Sequence, residues 1–345
     1  MHNAGFLGNL GEFGFIDWAE KILGRDEPNF NSRLIKGIGD DAAVIDVGFN
    51  SCLLLTTDIL KEGVHFDLSY EGPRSLGFKA LAVNASDIAA MGGDTWGILL
   101  SLALPGSTSL SWLKDFFAGI KDFQNFSYCY ILGGDTSKSQ EGIFISVTSI
   151  GFIPKDSVIL FRSSAKPGDA VLVTGKPGSS AIGLELLRRF GLDAKTKKEF
   201  QPFIESYLTP KPPISFAKEI ATIGLGNAAI DLSDGLFQDL GHIAKSSQVC
   251  IDIFENKLPI NTITKSIRIL GFNALKTALS GGEDYCLILT APKDNIPSIL
   301  KLSLKHGVLI SEIGIVKAGK AEVNLVDSKG QTLDQGFFGF DHFSR

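Results

Sequence analysis

Extended and helical patterns alternate along both halves of this chain, and this alternation restricts the fold more than any other feature of the sequence. Residues 73–91 carry apolar side chains near helical spacing and stop at Gly92-Gly93, which predicts a helix. Runs rich in β-branched and aromatic residues predict strands. These runs cover residues 43–47, 52–57, 97–104, 128–132, 143–153, 170–174, 228–232, 250–254, 285–290 and 308–316. The pattern therefore predicts an α/β domain in each half.

The length of the chain also indicates two domains. It has 345 residues, whereas a single hydrophobic core usually stops growing at about 250–300 residues. The segment Ile153-Pro154-Lys155-Asp156-Ser157 has the composition of a boundary. We predict an N-terminal α/β domain at residues 1–154 and a C-terminal α/β domain at residues 155–345. Further helices are predicted at residues 12–23, 109–126 and 178–190.

Composition narrows the class of partner and the compartment. The formal net charge is -5 and no stretch forms a basic stripe, which argues against nucleic acid as a partner. The mean hydropathy of +0.17 indicates a buried subunit interface. No run suggests a membrane span or a signal peptide, so we expect a cytoplasmic protein with no membrane partner. Four cysteines in apolar runs, with no C-x-x-C pair, are expected to be buried reduced thiols.

Three stretches of the sequence fit the patterns of nucleotide-binding motifs, but each lacks a feature that the motif needs in order to bind phosphate. The stretch from Gly37 to Ala42 fits a dinucleotide-binding loop, yet it places Asp40 and Asp41 where a pyrophosphate would lie. The stretch from Gly224 to Ala229 follows a helix and precedes a strand, which reverses the required order. Gly314 to Lys320 fits a Walker A loop but lacks the hydroxyl residue that should follow. If the protein uses ATP, it does so without a P-loop.

Acidic residues recur next to Gly, Ser or Thr at the ends of predicted strands and helices. Each one alone has an ordinary explanation as a helix cap or a surface residue. Together, several carboxylates in one cleft would repel each other unless divalent cations neutralised them, and hard oxygen ligands select Mg²⁺. The pattern indicates a multi-metal site for nucleotide phosphates. Its members are Asp40, Asp41, Asp58, Asp87, Asp135, Asp231 and Asp234, with Glu283 and Asp284 as a further pair.

Arg162 lies beside the predicted domain boundary, where it can reach phosphate groups from a second direction. An ordinary surface arginine explains the same position equally well from the sequence alone.

The order of these blocks along the chain resembles the thiamine-monophosphate kinases. That family is part of the superfamily of aminoimidazole ribonucleotide synthetase, selenophosphate synthetase and a hydrogenase-maturation dehydratase. The resemblance spans nearly the whole chain. The resemblance rests on a series of short motifs in a fixed order. These are Gly11-Glu12-Phe13, Gly37-Ile38-Gly39-Asp40-Asp41, Thr56-Thr57-Asp58, Glu62-Gly63-Val64-His65-Phe66, Lys79-Ala80-Leu81, Ser86-Asp87-Ile88, Gly133-Gly134-Asp135-Thr136, Lys166-Pro167-Gly168-Asp169, Asp231-Leu232-Ser233-Asp234, Gly281-Gly282-Glu283-Asp284-Tyr285 and Gly339-Phe340-Asp341.

The resemblance implies an aminoimidazole ribonucleotide synthetase-like fold in which N-terminal sheets pair into a barrel across a homodimer. It implies a kinase that moves the γ-phosphoryl group of ATP to thiamine monophosphate, with several Mg²⁺ ions. The implied metal ligands are Asp41, Thr56, Thr57, Asp58, Asp87, Asp135, Asp231 and Asp234. The implied ATP contacts are Gly134, Asp135, Arg162 and Ser233, and the implied thiamine contacts are His65, Glu283 and Phe337.

Three positions depart from the usual pattern of that family. Cys286 stands where an acid is common, Ser164 stands where a glycine is common, and Phe337 stands where a tryptophan is common. Two alternatives remain open at this point. One is another ATP-dependent synthetase or dehydratase of the same superfamily, and the other is a nucleotide- or thiamine-binding protein without turnover.

The implied reaction needs no catalytic general base. A phosphomonoester has a second pKa near about 6, so the acceptor is largely ionised at neutral pH. Transfer between two phosphates is then mainly a matter of positioning and charge neutralisation. We therefore expect the aspartates to hold metal ions and not to move protons.

Overall fold

The computed structural model describes residues 14, 16, 33–48, 50–260 and 265–333. The helix predicted at residues 12–23 lies almost wholly outside these ranges, and Phe337 also lies outside them. None of the helices within these ranges combines the length and the apolar character needed to cross a membrane.

The N-terminal half forms a six-stranded sheet in the order β1-β2-β3-β6-β4-β5. Neighbouring strands are antiparallel except for β4 and β5, which are parallel. Two helices, α1 and α2, follow β3 and β4. The elements are β1 Leu34–Lys36, β2 Ala43–Asp46, β3 Ser51–Lys61, α1 Pro73–Ala90, β4 Asp94–Leu104, α2 Leu110–Ser127, β5 Tyr130–Lys138 and β6 Phe144–Pro154.

The C-terminal half forms a second six-stranded sheet in the order β12-β9-β11-β7-β10-β8. Only the pair β12 and β9 is parallel. This two-sheet arrangement confirms the predicted α/β class. The elements are β7 Ala170–Thr174, α3 Ser179–Phe190, α4 Gln201–Leu208, α5 Ile214–Thr222, β8 Ala228–Leu232, α6 Leu236–Ser247, β9 Cys250–Phe254, α7 Lys265–Ile269, α8 Ala274–Ser280, β10 Cys286–Ala291, α9 Ile296–His306, β11 Ile310–Lys317 and β12 Glu322–Val326.

Helix α1 joins the two halves. Pro73 occupies its first turn, where the missing N–H of proline costs nothing. The helix is buried along most of its length and packs on β3, β4, β6 and α2, and also on α5, β8 and β10. Glycines permit close contact with α2, since a Cβ at Gly77 would lie 2.1 Å from the Phe116 carbonyl oxygen. Residues on α1 can therefore reach both sheets at once.

Most predicted strands are confirmed to within a few residues, but β5 is longer than predicted. The predicted strand ended at Leu132, directly before Gly133-Gly134. In the structure β5 continues to Lys138, since its main chain pairs in parallel with β4. A Cβ at Gly134 would lie 1.7 Å from the carbonyl oxygen of Leu100, so only glycine fits there. The predicted domain boundary between residues 154 and 155 stays a prediction.

Candidate active site

Three aspartates from distant parts of the chain meet where the two halves join. Asp41 lies in the turn before β2, Asp87 in the last turn of α1, and Asp231 within β8. One carboxylate oxygen of each lies within 4.8 Å of the other two. The convergence that the sequence pattern predicted for these three residues is therefore present.

Strand β3 adds two more predicted residues to this cluster. The Thr56 hydroxyl donates a hydrogen bond of 2.7 Å to Asp87 Oδ2. Asp58 lies on the same face of the strand, because side chains two residues apart point the same way. Its Oδ2 is buried and has no hydrogen-bond partner among the described residues. On the other side, the Ser86 hydroxyl donates to Asp231 Oδ2 at 2.9 Å.

The electrostatics of the cluster match a site for a divalent cation. Burial, followed by Asp58, Asp231 and Asp41, raises the pKa of Asp87 well above its ordinary value. Burial also raises the pKa of Asp58 to about 6. Carboxylates that lie close together repel each other when they ionise, and a bound cation relieves this repulsion. A set of oxygen ligands suits Mg²⁺. The residues present therefore fit the metal that the sequence implied.

Arg162 is tied to this cluster and is not a surface arginine. Its Nη2 donates to Asp41 Oδ1 at 2.6 Å and its Nε donates to Asp41 Oδ2 at 3.1 Å. Its backbone N–H faces the carboxylate of Asp40 at 3.3 Å. Burial opposes the charge of Arg162, but Asp41 and Asp40 raise its pKa above the ordinary value. The two-pronged contact holds a fixed positive charge at the edge of the acidic cluster.

A second acidic group lies at the start of α6. Oxygen or nitrogen atoms of Asp234, Asp239 and His242 lie within 4.8 Å of one another. The Oδ2 atom of Asp239 accepts hydrogen bonds from three consecutive backbone N–H groups, those of Ser233 at 3.1 Å, Asp234 at 3.2 Å and Gly235 at 3.2 Å. Asp239 thereby fixes the shape of the loop that carries two predicted site residues.

We expect Asp239→Ala to destabilise the protein by about 1–3 kcal/mol, because three backbone N–H groups, one buried and two partly buried, lose their acceptor. Asp239→Asn keeps one acceptor oxygen and should recover most of that loss. Urea denaturation of both variants measures the difference. Equal stability of the alanine and asparagine variants would contradict the assigned contact.

A cavity of about 300 Å³ lies beside this loop. Two of the predicted thiamine contacts, His65 and Glu283, line it. Glu283 has a left-handed backbone with φ of 63°, as does Tyr285 with φ of 49°, which is costly for non-glycine residues. Asp284, between them, accepts N–H groups from Gly178 and Ser180 at the start of α3 and so stabilises the unusual turn. The Glu283 N–H donates to the Ser233 carbonyl oxygen at 2.7 Å, so the cavity adjoins the loop of Asp234.

Some predicted residues are not brought to the acidic cluster. The Thr57 hydroxyl lies on the opposite face of β3 and bonds to the Val147 carbonyl oxygen at 3.0 Å on β6. Gly134 and Asp135 lie on the exposed strand β5, at the far edge of the sheet from β3. The Asp135 carboxylate accepts the N–H of Thr136 at 2.8 Å. The predicted roles of these residues, and of Phe337, stay predictions.

Sequence reasoning gave no role to three residues that the structure places here: Glu71, Lys79 and Asp239. A lysine within the apolar stretch of α1 is a signal that could have identified Lys79, since buried lysines need a partner. The other two carry no such signal, because their importance comes from contacts that the local sequence does not show.

Comparison with known proteins shows the family of the chain. The model of the AIR synthase related protein N-terminal domain matches residues 39–153, and that of the C-terminal domain matches residues 166–326. The two halves of the chain therefore have the domains of this class of protein. Thiamine-monophosphate kinases of Aquifex aeolicus and of Escherichia coli strain K12 are both 39% identical to this chain, over 91% and 89% of its length and 94% and 92% of theirs. The chain belongs to the thiamine-monophosphate kinase family.

The solved structure "AaThiL complexed with AMPPCP and TMP" is similar to this one, with a TM-score of 0.84 and 36% sequence identity. The match covers 99% of this chain and 100% of that chain.

Proposed function

We propose that this protein transfers the γ-phosphoryl group of ATP to thiamine monophosphate and so produces thiamine diphosphate and ADP. One observation carries the proposal: Asp41, Asp58, Asp87 and Asp231 converge, and the loop that follows Asp231 contacts a cavity lined by His65 and Glu283. The family to which the chain belongs supports the substrate assignment, as does the similar structure bound to AMPPCP and TMP.

The acidic cluster would hold Mg²⁺ in this proposal. Asp41, Asp58, Asp87, Asp231 and Asp234 are the proposed ligands, with Thr56 orienting Asp87. When bound, the metal ions neutralise phosphate charge and bring two polyanions together. Asp135 and Thr57 are included as ligands on the family resemblance alone.

Nucleotide binding is assigned to residues around the same junction. Arg162 offers a guanidinium that is already fixed by Asp41, and Ser233 lies on the loop ordered by Asp239. Gly134 of β5 is the third proposed nucleotide contact. Its position requires glycine, because the backbone of Leu100 lies too close for a Cβ. The chain supplies position and charge, and the ionised acceptor phosphate is itself the nucleophile, so no side chain needs to act as a general base.

The cavity with His65 and Glu283 is the proposed site for the thiamine moiety. Glu283 suits a positively charged ring, and a ring at Phe337 would add a cation–π contact worth about 0.5–2 kcal/mol. A cytoplasmic location, where ATP is available, is part of the proposal.

The direct test follows thiamine diphosphate and ADP formed from ATP and thiamine monophosphate in the presence of Mg²⁺. Product that depends on both substrates supports the kinase. ADP without thiamine diphosphate would favour another ATP-dependent member of the superfamily, and binding without either product would favour a protein that does not turn over its ligands.

We also propose that the protein is a homodimer in which the N-terminal sheets pair. Strand β5 is exposed along its whole length and is bonded only to β4 within the described residues. Its apolar side chains Tyr130, Ile131 and Leu132 are exposed, together with Trp96 and Leu99 of β4. An apolar strand at the edge of a sheet is a template for pairing with another chain.

Light scattering after size exclusion should give the mass of a dimer for the wild type. Ile131→Lys should shift the mass toward the monomer, because a charge is then placed in the paired edge. Leu304→Lys, on exposed α9, is the matched control and should leave the dimer intact. A wild-type monomer would refute the pairing.

A further inference from the structure

A buried lysine, Lys79, lies behind the cavity that is lined by His65 and Glu283. Lys79, on α1, is fully buried. Its Nζ donates to Glu283 Oε2 at 2.8 Å, faces the His65 carbonyl oxygen at 3.4 Å, and lies 3.7 Å from the centre of the Tyr207 ring. The Tyr207 hydroxyl donates to the same His65 carbonyl at 3.2 Å. Lys79 therefore connects α1 to both sides of the cavity.

This ion pair weakens the recognition of a cation. Glu283 lines the cavity, and the buried Lys79 lies behind it. The positive charge of Lys79 therefore opposes part of the attraction that Glu283 exerts on a positive ring.

Glu71 supplies the missing negative charge. It lies two residues before α1, has 1% of its surface exposed, and neither of its carboxylate oxygens has a hydrogen-bond partner among the described residues. A buried carboxylate without hydrogen bonds is costly, and such a group persists in a fold when a nearby positive charge offsets the cost. Lys79 is the strongest attractive charge that acts on it.

Asp67 and Arg188 also line the cavity and carry opposite charges. We propose that Glu71 is the second counter-ion of Lys79, so that Lys79, Glu283 and Glu71 together carry one net negative charge, which favours a ligand carrying a single positive charge. The identity of that ligand as the thiazolium of thiamine rests on the proposed function. Lys79 then holds Glu283 in position while Glu71 balances Lys79, so Glu283 remains able to attract the ring. Glu71 is a positioning and specificity residue, since it does not line the cavity itself.

The charge state of Glu71 makes the proposal measurable through pH. The groups that act on Glu71 are Lys79 of α1, Glu283 before β10, Tyr207 of α4 and Lys195. Burial raises its pKa to about 7, Glu283 adds to the rise, and Lys79 lowers it. Lys79 keeps its proton, because Glu283 and Glu71 raise its pKa despite burial. Burial raises the pKa of Tyr207, so its hydroxyl stays neutral.

Ionisation of Glu71 should therefore strengthen cation binding as the pH rises. Apparent affinity scales with the fraction of protein in the competent form, so affinity should increase about tenfold between about pH 6 and about pH 8. Thiamine without its phosphate is the appropriate probe, because a phosphate would itself titrate near about 6.

The experiment is calorimetric titration of the full chain with thiamine, at both pH values, for the wild type and Glu71→Gln. We expect the wild type to show the tenfold change and Glu71→Gln to bind equally weakly at both pH values. Glu205→Gln, an exposed change on α4, is the matched control and should behave like the wild type. Should Glu71→Gln fail to fold, Glu71→Leu removes the same charge and replaces an unpaired buried carboxylate with an apolar side chain.

Two outcomes would overturn the inference. One is a Glu71→Gln protein that retains the wild-type affinity and pH response. The other is a wild type that binds an uncharged thiazole alcohol as tightly as thiamine. Formation of thiamine diphosphate by the wild type is measured separately. If no product forms but cation binding depends on Glu71, the kinase proposal fails and the cation site stands.

Discussion

Asp87→Asn should reduce the rate of thiamine diphosphate formation by about 10²–10³-fold, the usual cost of losing one main electrostatic contact to a transition state. The same substitution should not destabilise the metal-free protein. Asp87 lies among Asp41, Asp58 and Asp231, so removing its charge removes repulsion. A loss of activity with no loss of stability separates a role in metal binding from a role in folding.

Thermal unfolding with and without Mg²⁺ provides the measurement that accompanies the kinetics. Burial and the neighbouring acids raise the pKa of Asp87 in the folded protein, so stability falls as the pH rises from the ordinary pKa of an aspartate toward that raised pKa. Mg²⁺ should offset this cost and stabilise the wild type by about 2.7 kcal/mol at a concentration of about 100 times Kd. The stabilisation should be smaller at about pH 5, where more of these acids are protonated.

Asp156→Asn is the matched control for this experiment, since Asp156 is an exposed residue in the turn after β6. It should keep both its activity and its stabilisation by Mg²⁺. An Asp87→Asn protein that Mg²⁺ stabilises as much as the wild type would show that the metal, if bound, lies elsewhere.

The chemical class of the site was predictable from local sequence, because acids next to Gly, Ser and Thr at element ends are visible without coordinates. The period of two in a strand also predicts that Thr56 and Asp58 share a face and that Thr57 does not. The resemblance assigned all three as ligands, and the structure brings only the side chains of Thr56 and Asp58 toward Asp87.

The meeting of Asp87 with Asp231 was not derivable from local sequence. It depends on α1 packing against both sheets, and that packing depends on close contacts such as the one at Gly77. The same is true of the bond between Lys79 and Glu283, which are 204 positions apart. Periodicity describes one element at a time, whereas these contacts are set by how elements from both halves pack together.

Substitution of Arg162 is expected to have the second large effect, a loss of stability. Its guanidinium makes two hydrogen bonds to Asp41, whose side chain is fully buried, while the arginine side chain is 20% exposed. Arg162→Met leaves that carboxylate without its charge partner. Removing one member of a buried pair costs about 3–5 kcal/mol, so we expect a loss of at least about 3 kcal/mol in the free energy of unfolding at neutral pH. Arg162→Lys should be intermediate, because a lysine keeps the charge but cannot make both contacts.

The double variant Arg162→Met with Asp41→Asn distinguishes the two roles of this pair. Removing the Asp41 carboxylate as well should restore much of the lost stability, since Asp41 is the acid that makes both guanidinium contacts with Arg162. Activity should not return, because the proposed phosphate contact and one metal ligand are both gone. Urea denaturation gives the coupling between the two positions, and steady-state kinetics with varied ATP gives the functional loss. A double variant no more stable than Arg162→Met would mean that Asp41 does not depend on Arg162, and Arg162→Met with an unchanged KM for ATP would remove it from the nucleotide site.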